Sequence, residues 1–237
     1  MPRRGRLSIP GIQWHIVQRG NNRGPCFFAP EDYRYYLDLL KKASRLHQCA
    51  VHAYVLMTNH VHLLLTPHTE TSAAKCMKAV AQMYTQFINR KYDRTGRLWE
   101  GRFKSCLTRD EHYVLICYRY IELNPVRAGM VSHPREYRWS SYRANGEGVA
   151  DSIVTRHEHY LGLGSTDDAR RETYRQLLAS ALDETALTGV RTATSGNYVL
   201  GSRSLQDEIA RTSGRPAKPG RAGRPRTMKV GNSPHFP

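Results

Sequence analysis

Apolar positions recur along this chain with two periods, and the order in which the periods alternate predicts an architecture. The stretch IQWHIVQRG, residues 12–20, is rich in β-formers and ends at a glycine and asparagine cluster, which predicts a strand followed by a loop. Pro30 suits the first position of a helix, and Tyr33, Tyr36, Leu37 and Leu40 follow at helical spacing. CAVHAYVLM then predicts a second strand, and HVHLLLT a third, joined across a tight Thr58-Asn59 corner as a hairpin. From Ser72 to Tyr92 the spacing is helical again, with Met77, Val80, Ala81, Tyr84 and Ile88 in one stripe. LWEGRFKSCLT, from Leu98, alternates like a fourth strand. Strand, helix, strand, strand, helix, strand is the ferredoxin-like, split βαβ order of an α+β protein with an antiparallel sheet. Two helices would cover one face of that sheet and leave the other for a site.

A further helix is predicted after the fourth strand, opened by a capping box of Thr108 and Glu111 and stopped near Asn124, because Pro125 disfavours helix in the residue before it. Its core stripe is Val114, Cys117, Tyr118 and Ile121. Tyr113, Tyr120 and Asn124 share an adjoining face, since offsets of four and seven residues return to nearly the same direction. Beyond YRWSSYRA the periodicity weakens, although Asp167–Leu182 and SLQDEIART still pattern as helices. From Arg211 to Lys229 there are seven basic residues and no acidic one, among several Gly and Pro, which predicts disorder until a partner is met. The expected organisation is a main domain over residues 1–145, a helical extension over 146–210 and a basic tail over 211–237.

Charge narrows the class of partner. The chain has 237 residues and a formal net charge of +16, from 36 Lys and Arg against 20 Asp and Glu. Such an excess repels itself unless a polyanion neutralises it, and nucleic acid is the partner it points to. Arg19, Asn22 and Arg23 beside the first strand, Arg102 and Lys104 on the fourth and Arg127 after the last core helix can surround a single strand with positive charge, although each taken singly fits a solvated surface group better. Arg224 and Arg226 lie in Gly-Arg-Pro segments suited to a narrow minor groove, or to unspecific polycation binding. Trp14 and Trp99 can stack on bases or fill the core. The five cysteines are scattered without a CxxC pair, as small core residues of a reducing compartment are. No apolar run approaches a membrane span and no signal-type segment follows the N-terminus, so the expected address is cytoplasmic, with no membrane partner.

The chemistry begins with His60-Val61-His62. On a strand, alternate residues share a face, so both imidazoles point one way while Val61, Leu63 and Leu65 point to the other and can pack under the helices. Two imidazoles so spaced can bind one divalent ion, or serve as polar decoration of the sheet. Tyr120 and Asn124, at i and i+4 on a helix over the open face, bring a phenol and a neutral amide oxygen toward the same place. Tyr113, one heptad before Tyr120, is the rival nucleophile, and Tyr118 points to the core stripe. Glu122 is turned about 200° from Tyr120 on the helix and is not expected to act as its base.

The His60-Val61-His62 motif and the segment Tyr120-Ile-Glu-Leu-Asn124-Pro-Val-Arg-Ala-Gly-Met resemble the single-tyrosine HUH transposases, and most closely the REP-associated tyrosine transposase branch. QRGNNR, VLMTNHVHLLL and LWEGRFKS match that branch in the same order, so the resemblance covers roughly residues 8–145. It implies that His60, His62 and Asn124 hold Mg2+ or Mn2+ and that Tyr120 attacks a DNA phosphate, giving a 5'-phosphotyrosine and a free 3'-hydroxyl. It also implies a DNA hairpin with a single-stranded flank as substrate. Insertion-sequence relatives usually carry Gln where this chain has Asn124, and they act as dimers that share sites; likeness to the REP-associated branch favours a monomer, with a homodimer as the alternative. The other reading is a domesticated protein that binds hairpins without cutting them.

Overall fold

The computed structural model describes residues 6–220. Its sheet is built from β1 (Gln13–Arg19), β2 (Cys49–Met57), β3 (His60–Pro67) and β4 (Lys104–Thr108), in the order β2-β3-β1-β4, every neighbouring pair antiparallel. Helix α1 (Pro30–Leu46) links β1 to β2, and α2 (Ser72–Lys91) links β3 to β4. This is the expected ferredoxin-like α+β sheet. Met57 pairs with His60, so the β2-β3 hairpin turns on two residues and its register places every later residue of β3.

The pleat sorts side chains between two cores. Trp14, Ile16, Val61, Leu63 and Leu65 face α1 and α2, where they meet Tyr36, Leu40, Met77, Val80 and Tyr84. Both Trp14 and Trp99 are buried in that layer, which gives them the core role rather than base stacking. The second face is not left free. Ala53, Val55, Leu64 and Cys106 are covered by Val114, Cys117 and Ile121 of α3 (Glu111–Glu122), because the apolar stripe of that helix also needs a partner. All five cysteines are free and buried.

The chain continues through α4 (Asn124–Arg127), α5 (Tyr142–Glu147), α6 (Glu158–Leu161), α7 (Asp167–Ala179), α8 (Glu184–Gly196) and α9 (Arg203–Ser213). Tyr142, Tyr160, Tyr174 and Val190 from these helices enter the second core. Helix α9 crosses the boundary expected at residue 210, and the buried Ala217 accepts a hydrogen bond from the Val199 amide through its carbonyl, 2.8 Å away. Among the described residues, no helix is long and apolar enough to cross a membrane.

Three local expectations are corrected. Strand β4 begins at Lys104 instead of Leu98, because Trp99 bridges Gly20 and turns into the α1-α2 core before the chain bends through Gly101. The N-cap of α3 is Asp110, not Thr108, and no capping box forms: Thr108 is the last residue of β4, its hydroxyl buried without a partner, while the Asp110 carboxylate accepts the Ser202 amide. Helix α8 lies in the extension expected to be helical but outside both stretches that pattern as helices; its Thr- and Gly-rich sequence is a weak helix former held by packing on β4.

Candidate active site

The site face of the sheet carries His60 and His62 from β3, opposite Arg19 and Val17 of β1, with Lys104 of β4 beyond Val17. The same alternation brings His15 of β1 to this face. Its Nε2 lies 2.9 Å from Nδ1 of His62, and the two rings stack with centroids 5.2 Å apart. The His60 and His62 rings meet edge to face at 4.9 Å. Above them, Tyr120 of α3 lays its ring 5.6 Å from both His62 and His15.

The floor of the pocket is buried. His62 is 4% exposed, His15 1% and Tyr120 8%. Burial is the main cause that holds all three imidazoles below their ordinary range: His15 falls to about 3, with Arg127 adding to the effect, and His60 to about 4, with Arg19 adding. His62 is lowered in the same direction, again by burial first and then by its neighbours His15 and His60. These imidazoles are therefore neutral near pH 7, the protonation state in which a ring nitrogen offers a lone pair to a metal.

Arg127 follows α3 across a single-residue break at Leu123. Its guanidinium carbon stands 4.4 Å from the centre of the Tyr120 ring, and an Nη donates to the Tyr120 carbonyl at 2.6 Å. A cation on that face favours negative charge developing on the phenol. Asn124 opens α4 half-buried, and no hydrogen bond joins its side chain to either imidazole among the described residues. The other tyrosines go elsewhere. Tyr113 lines a separate groove with His112 and Ile116, and Tyr118 is fully buried against Tyr160 and Tyr174.

Glu122 is turned away from Tyr120, as the helical angle requires. Its carboxylate is 0% exposed and accepts from Ser141, Asn145 and Tyr174 at 2.5, 2.8 and 2.7 Å. Burial outweighs those three donors and pushes it up to about 7.

A cleft of about 680 Å³ opens over His62 and Tyr120. Arg6, Arg19, Arg23, Arg102, Lys104 and Arg191 line it against a single carboxylate, Glu100, so its field favours a polyanion. Of the sequence candidates, Arg19, Arg23, Arg102 and Lys104 stand on this cleft. Asn22 is exposed in the neighbouring turn, Arg127 covers Tyr120, and Arg224 and Arg226 lie outside the described residues. Gly20 keeps that turn tight: a Cβ there would fall 2.2 Å from the Gly24 carbonyl. The strand alternation that selected His60 and His62 also selects His15, so that residue was legible. Arg191 and Thr194, on α8, were not.

One other group could hold a metal ion among the described residues, His157, Glu158 and His159. Two of its nitrogens are engaged: His157 Nδ1 accepts the His159 amide at the start of α6, and His159 Nε2 lies 3.1 Å from the Arg109 carbonyl, to which it can only donate.

An antiparallel α+β sheet thus presents paired imidazoles to a helix-borne tyrosine under a cationic cleft. The profile of the family described as "Transposase IS200 like" matches residues 8–124, so over that segment the chain is similar to this family of transposases. Among solved structures, the chain is similar to a REP-associated tyrosine transposase bound to a REP hairpin, with a TM-score of 0.55 and 19% identity over 66% of this chain and 93% of that one. It is similar also to a transposase candidate from Deinococcus radiodurans R1, with a TM-score of 0.36 and 21% identity over 47% of this chain and 88% of that one. No curated protein matches the chain significantly.

Proposed function

We propose that this protein is a metal-dependent single-strand DNA endonuclease and strand transferase that acts on hairpin DNA of the repetitive extragenic palindrome type through a covalent 5'-phosphotyrosine. The observation that carries the reading is the Tyr120 ring 5.6 Å from His62 at the floor of a cleft lined by six cationic side chains.

In this reading Tyr120 is the nucleophile. Its phenolic oxygen forms a bond to phosphorus as the bond to the 3' oxygen breaks; the phenol gives up its proton and the departing 3' oxygen takes one. One phosphodiester is exchanged for another, so the reverse attack by a 3'-hydroxyl joins strands without a nucleotide cofactor. Arg127, over the ring, offsets the charge that develops on the phenol, and Arg19, Arg23, Arg102 and Lys104 hold the strand by its phosphates. Two neutral imidazoles fit a divalent ion, and His60, His62 and Asn124 are the residues that would hold Mg2+ or Mn2+. When bound, such an ion polarises the phosphate and neutralises charge on its nonbridging oxygens.

Residues 1–145 carry the chemistry in this proposal, 146–210 buttress it, and the tail 211–237, with Arg224 and Arg226, adds unspecific or minor-groove contacts. The protein acts as a monomer, a state supported by Tyr120 and His62 meeting within one chain. The test incubates labelled hairpin DNA carrying a 5' single-stranded flank with protein and Mn2+ or Mg2+. A protein-DNA adduct that survives denaturation is expected with the parent and is absent with Tyr120→Phe.

The second reading, a hairpin-binding protein that does not cut, draws on the near-complete burial of Tyr120 under Arg127. Equal hairpin binding by both proteins with no adduct from either would establish it instead.

A further inference from the structure

Each histidine of the pair has one ring nitrogen already committed. His60 Nδ1 lies 2.6 Å from Oδ1 of Asn59, and the Asn59 amide nitrogen donates to the Arg23 carbonyl at 2.9 Å. That second bond orients the amide, so Oδ1 must accept and His60 must carry its proton on Nδ1. His62 Nδ1 lies 2.9 Å from His15 Nε2, and His15 Nδ1 lies 2.9 Å from the Thr194 hydroxyl. The Thr194 hydroxyl itself donates to Cys106 Sγ at 3.3 Å.

The direction of the chain follows. With its only proton turned to Cys106, Thr194 accepts from Nδ1–H of His15. A neutral imidazole carries one proton, so His15 Nε2 is an acceptor, and it takes the Nδ1–H of His62. His62 Nε2 is then left as a bare lone pair, as His60 Nε2 is. The chain run in reverse would place a proton on His62 Nε2 and close that atom to a cation.

We propose that His15, set by Thr194 of α8, is a positioning residue that fixes His62 in the Nδ1–H tautomer and so keeps its Nε2 open to the divalent ion. The inference rests on the functional reading above and adds residues that touch no DNA in it. It also gives the C-terminal extension a stated task, because Thr194 reaches the site only when α8 docks on β4. Partners of this kind change metal affinity by about 10- to 100-fold when removed.

The test uses the full chain in two measurements. Long-range 1H–15N correlation spectra of the metal-free protein report which ring nitrogen of His62 bears the proton, and electron paramagnetic resonance of free Mn2+ reports affinity. The parent is expected to show the Nδ1–H tautomer. His15→Leu and the nearly isosteric Thr194→Val are expected to shift His62 toward the Nε2–H form and weaken Mn2+ binding by about tenfold or more. His15→Gln, whose amide oxygen can accept where Nε2 did, is expected to restore both. Thr194→Val removes one hydroxyl and keeps the shape, so it remains readable if His15→Leu fails to fold. An Nε2–H tautomer in the parent, no Mn2+ binding by the parent, or an unchanged tautomer and affinity in Thr194→Val would each overturn the proposal. A parent that shows the tautomer and binds Mn2+ yet forms no DNA adduct would overturn the nuclease reading and leave this one standing.

Discussion

Tyr120 is held from two sides. The imidazoles of His15 and His62 meet its ring edge to face, and the Arg127 guanidinium covers it at 4.4 Å. A cation over an aromatic ring contributes about 0.5–2 kcal/mol, and here the contribution grows as the phenol takes on charge. Arg127→Ala is therefore expected to slow formation of the DNA adduct by about 2- to 30-fold, measured under single-turnover conditions. Arg127→Lys recovers only part of the rate, because an ammonium group cannot both lie flat on the ring and reach the Tyr120 carbonyl. Arg127 is exposed, so both variants should fold.

At the scale of elements, the site depends on a helix whose sequence argues weakly for itself. Helix α8 contains Thr185, Gly189, Thr192 and Thr194, and it is held by Leu187, Val190 and Ala193 in the second core and by its N-cap. That cap is Asp183, whose Oδ1 accepts the Ala186 amide at 2.6 Å. Asp183→Ala is expected to cost about 1 kcal/mol in urea denaturation. Faster amide exchange across α8 should accompany it, together with weaker Mn2+ binding, since Thr194 travels with the helix. Sheet register acts in the same way but more rigidly. A slip of one residue in the β2-β3 hairpin would turn His60 and His62 into the α1-α2 core, where Val61 and Leu63 now pack.

Across the whole molecule, buried histidines set the response to acid. His15 and His157 are lowered to about 3, His52 and His60 to about 4, and His62 in the same direction, each by burial first. A depressed base takes its proton in the unfolded chain before the folded one. Its stabilising contribution is thus complete above the ordinary histidine range and is lost as pH falls below about 6.5. Glu122, raised from 4.5 to about 7, works in the opposite sense: its contribution is present below 4.5 and lost as pH rises through 7. Five bases oppose one acid, so the urea midpoint is expected to fall between pH 7 and pH 5. Glu122→Gln removes the opposing proton and should make that fall steeper.

Much of this is legible in the amino-acid sequence. The period-2 runs and the Thr58-Asn59 corner determine the hairpin, and with it the common face of His60 and His62. The angular offset on α3 separates Tyr120 and Asn124 from Glu122 and from the core residue Tyr118. Local spacing reaches that far because strand and helix geometry repeat within a few residues. Only tertiary structure decided which groups meet those side chains from far along the chain. His15 and His62 are 47 residues apart, and Thr194 and His15 are 179 apart. No periodicity carries information over such distances. The burial that makes the imidazoles neutral arises when α3 and α8 close over the sheet, and burial belongs to the packed molecule.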